Sequence, residues 1–241
     1  RTSFTTTAYI SLGKQERGLI MEQKQLEKLL SILSCQDFDT VQLNTDSVNS
    51  KENVKELIDT AECGIKKLLT LCGEDVTRDG LQETPFRVIK AFLEYSEGYR
   101  ENPSVHLTKT FDVAHNDLVL VKDIPFNSMC EHHLAPFVGK VHIAYIPDTK
   151  ITGLSKFGRL VDGYAKRFQV QERLTQQVAD AIQEVLEPQG VAVIIEAEHT
   201  CMSERGIKKH GACTVTSTMR GIFEDDSALR AELMTLIKGG N

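Results

Sequence analysis

The sequence predicts an α+β fold, in which a four-stranded antiparallel sheet carries helices on one face. Two observations support this prediction. Apolar residues recur at helical spacing over 54–72, over 86–93 and again over 157–185. Apolar residues instead alternate with a period of two between 111 and 146, and again from 191 to 201. The strands therefore come in two pairs around a pair of helices, an order typical of α+β proteins.

The first fifty residues are predicted to be an extension and linker, part of it disordered. A short helix near 21–34 places four leucines on one side, and residues 35–50 are polar without a period. The chain begins with Arg1, and its first twenty residues are rich in Thr and Ser. A secretory signal is not expected, whereas a transit peptide or a true start at Met21 both stay open. The folded domain is expected to span 51–241.

Two helices are expected before the first strand. The first carries an apolar stripe over five turns from Val54 to Cys72 and ends at Gly73. This stripe makes Cys72 a predicted core residue. The second helix begins at Thr84–Pro85, where threonine suits the cap and proline suits the first turn.

The β-rich region and the second helix pair follow. A strand over 118–121 leads into the turn at 130–133, and a strand over 138–146 returns antiparallel to it. Helices are predicted from 155 to 168 and from 171 to 187. A strand then runs to Cys201, a Thr-rich strand spans 213–220, and a last helix begins near Ser227.

Composition narrows the class of protein. The chain has 241 residues, 41% of them hydrophobic, and a formal net charge of -6, which argues against a general nucleic-acid surface. No apolar run approaches the roughly 18 residues of a membrane span. Six cysteines spread over this length show no dense disulfide framework. A reducing, cytoplasmic setting is therefore expected.

The main chemical signal is the stretch Cys130-Glu131-His132-His133. Cys130 and His133 are three residues apart, so that one turn can aim both at a single zinc ion. The best third ligand is Cys201, because the alternation from Val191 onward places it at the end of one strand face. Three protein ligands leave an open position for water, as in catalytic rather than structural zinc sites.

Two other interpretations of these cysteines stay open at this point. Taken singly, Cys130 would be a small buried hydrophobic residue. A fourth ligand from His210 or Cys213 would instead close the site into a structural zinc site.

Charged and titratable residues around these ligands suggest a substrate. His132 and His199 neighbour the ligands and are placed to move protons, and the alternative for His132 is that it only supports a ligand. Glu172, at a helix start, is either a favourable N-terminal acid or an acceptor for a guanine-like N–H edge. Five basic residues would form a polyphosphate site if they converged: Arg87, Lys90, Lys156, Arg159 and Arg205. Taken alone, Arg87 and Lys90 are typical of a solvated helix face. Residue chemistry alone thus predicts zinc-assisted hydrolysis of a small anionic substrate.

Seven motifs together resemble the GTP cyclohydrolase I family. They occur in the family's order over about residues 54–240: Glu83-Thr84-Pro85-x-Arg87, Cys130-Glu131-His132-His133, the stretch from Gly139 to Pro147, Gly153-Leu154-Ser155-Lys156, Gln171-Glu172-Arg173-Leu174-Thr175, His199-x-Cys201 and Arg205-Gly206. Such a set is far more specific than any one of its members.

The resemblance implies roles for individual residues. Cys130, His133 and Cys201 match the zinc ligands, His132 and His199 the acid–base histidines, with Ser155 counted among the catalytic residues. Glu172 matches the carboxylate that recognises the purine, with Gln171 beside it in the substrate site. The phosphate and ribose contacts map onto Arg87, Lys90, Ser155, Lys156, Arg159 and Arg205.

The resemblance also implies the reaction, fold and assembly. Water would open the guanine imidazole ring of GTP and release formate, and ribose rearrangement would give 7,8-dihydroneopterin triphosphate, the first step of tetrahydrofolate or tetrahydrobiopterin synthesis. The implied fold is the tunnelling fold, in an allosteric homodecamer with active sites between subunits; any regulatory protein partner is unknown. Two alternatives remain. One is a relative that acts on another pterin or deazapurine, but the presence of His132, His199 and Glu172 argues against it. The other is a catalytically silent paralogue.

Overall fold

The structure is a computed structural model that describes residues 51–114 and 116–239. The helix predicted near 21–34 and the linker after it lie outside these residues. The chain divides into two units, one ending at Leu93 and the other beginning at Glu94. Among the described residues, no helix is both long and apolar enough to cross a membrane.

The first unit contains helix α1 (Lys51–Leu71) and most of helix α2 (Thr84–Tyr95), with a 3-10 turn over Asp79–Leu81 between them. Gly73 follows α1 in the left-handed region, with φ of 88°, and its amide donates to the Thr70 carbonyl. Both helices therefore lie where periodicity and end signals predict them. The prediction that Cys72 is a core residue was wrong, because its side chain is exposed.

The second unit begins with two short 3-10 turns, Glu97–Arg100 and Pro103–Leu107, and is built on a five-stranded sheet. In chain order, its strands and those of a separate ribbon are β1 (Thr110–Asp112), β2 (Val119–Cys130), β3 (Ala135–Ile146), β4 (Lys150–Thr152), β5 (Phe168–Gln169), β6 (Gly190–His199) and β7 (Cys213–Gly221). The sheet order is β5-β2-β3-β6-β7, and β1 pairs with β4 in the ribbon.

The four long strands β2, β3, β6 and β7 are antiparallel, as predicted. The prediction of four strands missed β5, which runs parallel to the end of β2, opposite Met129 and Cys130. Two residues are too short for a period-two pattern to show in the sequence.

Helices α3 (Ser155–Ala165) and α4 (Gln171–Leu186) pack on one face of the sheet. Their buried side chains include Phe157, Leu160, Leu174 and Val178, which share a core with alternate residues of β3 and β6. These helices carry Ser155 and Gln171 as their first residues.

The prediction that all helices lie on one face was wrong for the C-terminal part of the chain. After β7 come α6 (Ile222–Asp225) and α7 (Ser227–Lys238); the short α5 (Thr200–Ser203) lies between β6 and β7. Phe223 and Leu233 pack with Ala192 and Ile194, on the opposite face of the sheet from α3 and α4. The reason is that β6 is apolar at consecutive positions, so burying its second face also removes apolar surface from water.

The strand register brings the predicted site residues to one end of the sheet. The β2–β3 hairpin pairs Cys130 with Ala135, so the four residues between them form its turn. Phe137 of β3 pairs with His199, the last residue of β6. The hairpin turn and the start of α5 therefore meet at the same sheet end.

Candidate metal centre and active site

Three side chains converge at this end of the sheet. Cys130 ends β2, His133 lies in the hairpin turn, and Cys201 lies in α5; their ligand atoms are all within 4.8 Å of one another. Among the described residues, this is the one group of three or more His, Cys, Asp and Glu side chains close enough to hold a metal. Neither His210 nor Cys213, the possible fourth ligands, belongs to it.

The two thiol groups, Cys130 and Cys201, form a suitable binding site for a cation. Burial, and then the neighbouring Cys130 thiol, raise the pKa of the Cys201 thiol. Two thiolates at this separation repel each other, and a divalent cation between them removes that cost and favours their ionisation. Two sulfur ligands and one imidazole are also a donor set that suits zinc.

The hairpin turn is held by its neighbours. The Glu131 amide donates to the Gln169 carbonyl at 3.0 Å, and the Leu134 amide donates to the Cys130 carbonyl at 2.9 Å. Arg173 on α4 donates to both carboxylate oxygens of Glu131, at 2.7 and 3.0 Å. This guanidinium lowers the pKa of the Glu131 carboxyl. The turn that carries His132 and His133 is thus tied to the start of α4.

The two predicted acid–base histidines have different surroundings. His132 is exposed on the turn, with its Nδ1 3.9 Å from the Cys130 sulfur. His199 is half-buried, and its ring stacks on Phe137 with centroids 4.5 Å apart and an interplanar angle of 4°. Burial lowers the pKa of His199, an effect that the nearby Glu172 carboxylate opposes. The lowered pKa favours the neutral imidazole of His199 at neutral pH.

The side chain of Gln171, a predicted substrate-binding residue, is buried, and its contact with substrate stays a prediction. Its side chain is 1% exposed, and protein groups use both ends of its amide. The Oε1 atom lies 2.8 Å from Nε2 of His199, and the Nε2 atom donates to the Ile195 and Thr214 carbonyls and to Thr216. One sequence signal fits this placement, because Gln171 falls on the same helical stripe as Leu174, Thr175 and Val178.

Glu172, one residue further along α4, is exposed. It lines an open groove of about 500 Å³, together with mostly polar side chains of α4 and β7. The other lining residues are Thr175, Gln176, Thr216, Ser217, Thr218, Met219 and Arg220. A carboxylate at the wall of a polar groove is available to a ligand, and the contact of Glu172 with guanine stays a prediction.

Of the five predicted phosphate-binding cations, the structure brings Arg205 to the cluster. Its Nη1 lies 2.9 Å from Nε2 of His133. Lys156 lies in the first turn of α3, as predicted, and Arg159 is the fifth residue of that helix. Arg87 and Lys90 lie on α2, where Arg87 pairs with Glu83 at 2.6 Å. Convergence of the other four cations with Arg205 stays a prediction.

A sheet that ends in a Cys–His–Cys cluster, with a half-buried histidine beside it, defines a class of protein: proteins with a candidate three-ligand metal centre. Residues 61–238 match the family model for GTP cyclohydrolase I. The chain belongs to the GTP cyclohydrolase I family and is a GTP cyclohydrolase.

Relatives agree with this assignment. The chain is 55% identical over 177 residues to GTP cyclohydrolase 1 of Desulforamulus reducens, a match that covers 73% of this chain and 95% of the relative. It is 53% identical to the Bacillus cytotoxicus enzyme of the same name, over 78% of this chain and 98% of the relative. It is 56% identical to GTP cyclohydrolase 1 of Corynebacterium glutamicum, over 74% of this chain and 92% of the relative.

Proposed function

We propose that this chain opens the imidazole ring of GTP by zinc-assisted hydrolysis and releases formate. Ribose rearrangement and ring closure then give 7,8-dihydroneopterin triphosphate, at the start of tetrahydrofolate or tetrahydrobiopterin synthesis. The observation that carries the proposal is the Cys130–His133–Cys201 cluster beside His199, in a chain of this family.

Zinc would be held by Cys130, His133 and Cys201. When bound, it supplies Lewis acidity and makes water a nucleophile at neutral pH. The chain's own part is to hold the purine, to accept and return protons, and to bind the triphosphate.

Proton transfer follows from the atom balance. The ring carbon that leaves as formate is bonded to two nitrogens, so two C–N bonds break and two waters are consumed. Each cleavage takes a proton from water and gives one to the departing nitrogen. His199 is neutral and can accept such a proton, and His132 in the hairpin turn can return one.

The test of this function is incubation of zinc-loaded protein with GTP. Formate should appear together with a pterin that fluoresces after oxidation. Zinc-loaded, folded protein that releases neither product would overturn the proposal.

Glu172 is proposed to bind the N–H edge of guanine, because its carboxylate lines the groove beside His199. A site built around those hydrogen bonds rejects a base that lacks them, by on the order of 10⁴-fold in kcat/KM. We expect ATP to be used that much more poorly than GTP. Glu172→Ala should raise the KM for GTP by ~10- to 100-fold, since a hydrogen bond to a charged group contributes about 1.5–3 kcal/mol.

Steady-state kinetics with both nucleotides would measure this. Gln176→Ala is the matched control, because Gln176 lines the same groove but carries no charge. Equal use of GTP and ATP by the unaltered chain would exclude the role of Glu172.

Arg205 is proposed to bind substrate phosphate and to be released when the metal binds. A guanidinium only donates hydrogen bonds, so its contact requires a lone pair on Nε2 of His133. A neutral imidazole that gives one nitrogen to a metal carries a proton on the other. The Arg205–His133 hydrogen bond and a metal on His133 therefore exclude each other.

Arg205→Ala should accordingly bind zinc severalfold more tightly, because the competing hydrogen bond, worth ~0.5–1.5 kcal/mol, is gone. The same change should raise the KM for GTP by ~10- to 100-fold through loss of a charged phosphate contact. Zinc affinity is measured by competition with a chelator. Lys209→Ala removes the same charge from the same loop and serves as the control. A zinc affinity of Arg205→Ala below that of the unaltered chain would contradict the exclusion.

Assembly belongs to the same proposal. Strand β7 is an edge of the sheet, and an edge strand offers unpaired N–H and C=O groups to another chain. Together with family membership, this supports a tunnelling fold and a cytoplasmic homodecamer with shared active sites, to which Arg87, Lys90, Ser155, Lys156 and Arg159 contribute. The catalytic domain is proposed to span 51–241. Light scattering would show ten chains, and an active monomer would rule the shared site out.

A further inference from the structure

We propose that Gln171 is a positioning residue, which holds His199 in the tautomer protonated at Nε2 and so leaves Nδ1 as its proton-accepting atom. This inference rests on the proposed role of His199 as a proton carrier. It is argued from the hydrogen-bond partners of one buried amide.

The orientation of the Gln171 amide is decided by its partners. One end of the amide lies 3.0 Å from the carbonyl oxygens of Ile195 and Thr214. Carbonyl oxygens only accept hydrogen bonds, so this end must be the NH₂ group. The opposite orientation would place the amide oxygen against two carbonyl oxygens. The amide oxygen of Gln171 therefore faces His199.

Two threonine hydroxyls complete the same network. The Thr175 hydroxyl donates to the backbone carbonyl oxygen of Gln171 at 2.7 Å. It lies 2.6 Å from the Thr216 hydroxyl, which therefore donates to it and can accept from the Gln171 amide at 3.1 Å. The Gln171 NH₂ group has two hydrogens for these three acceptors, so that one N–H is shared between two of them. Gln171 is 1% exposed, so water does not compete for its amide.

The tautomer of His199 follows. Its Nε2 lies 2.8 Å from the Gln171 amide oxygen, which only accepts, so Nε2 carries a proton. A neutral imidazole has one N–H, and Nδ1 is then left with its lone pair. The stacked Phe137 ring, at 4.5 Å and 4°, keeps the imidazole in this plane. The amide and the phenyl ring together determine which nitrogen accepts a proton and where it points.

Without the amide oxygen, His199 would divide between its two tautomers and lose the fixed direction of its lone pair. Partners that orient a functional histidine typically contribute ~10- to 100-fold to activity. Gln171→Met keeps the length of the side chain and removes both ends of the amide. We expect kcat to fall ~10- to 100-fold, with the KM for GTP within about twofold, because the purine is bound by Glu172 rather than Gln171.

The decisive measurement is a solid-state ¹⁵N spectrum of histidine-labelled zinc-loaded protein, without substrate. His199 is assigned by difference from His199→Asn, and the chemical shifts of its two nitrogens report which one is protonated. We expect a single Nε2–H form in the unaltered chain and a mixture in Gln171→Met. The control is Gln183→Met, the same substitution on the same helix, where the amide donates to the Pro188 carbonyl instead; it should leave the His199 signals unchanged.

An unaltered chain with His199 protonated only at Nδ1 would overturn the inference, as would unchanged His199 signals and kcat in Gln171→Met. If that variant does not fold, the spectrum of the unaltered chain alone decides the tautomer. Because the spectra need no GTP, they test the inference even if the proposed reaction fails.

Discussion

Replacing Cys201 with serine should remove bound zinc and GTP turnover together. The three ligand atoms lie within 4.8 Å of one another, and a hydroxyl is a much poorer zinc ligand than a thiolate. With only Cys130 and His133 left, we expect zinc content to fall from about one ion per chain to near zero in a three-ligand site of this kind. Activity should fall to the background of the assay.

Metal analysis of purified protein, followed by the formate assay, measures both effects. Cys213→Ser is the matched control, because that thiol is exposed and lies outside the cluster. It should keep one zinc and full turnover. A zinc-free Cys201→Ser protein with normal turnover would show that the proposed metal centre is not needed for the reaction.

Replacing His199 or His132 with alanine should instead separate zinc binding from turnover. Neither residue belongs to the three-ligand cluster, so zinc content should stay at that of the unaltered chain. Loss of a positioned proton carrier costs on the order of 10²- to 10⁴-fold in rate. The half-buried His199, held by Gln171 and Phe137, should show the larger loss, since His132 is exposed and its contacts with Cys130 and Glu131 are both 3.9 Å long.

Zinc content, circular dichroism and kcat of the two variants would be compared. His210→Ala is the control, because His210 is an exposed histidine outside the cluster. A His199→Ala protein that is folded but zinc-free would show that the division between metal ligands and proton carriers is wrong.

Local patterns determine a good part of this protein. The three-residue spacing of Cys130 and His133, and the alternation that ends at Cys201, predict a cluster that the structure does assemble. Helix stops such as Gly73, and the four long strands, also follow from periodicity and turn residues. These features are encoded in neighbours along the chain, where the helical and strand periods decide which side chains share a face.

Other features depend on contacts that no local pattern contains. The sequence places Gln171 and Glu172 side by side at a helix start, and the helical stripe marks Gln171 as buried without showing which atoms its amide meets. The structure buries Gln171 against β6, β7 and His199 and leaves Glu172 in the groove, because a helix turns by about 100° between adjacent residues. Likewise, α7 covers the second face of the sheet because that face is apolar too. Periodicity thus decides which residues are buried together, and tertiary packing alone decides which atoms they meet.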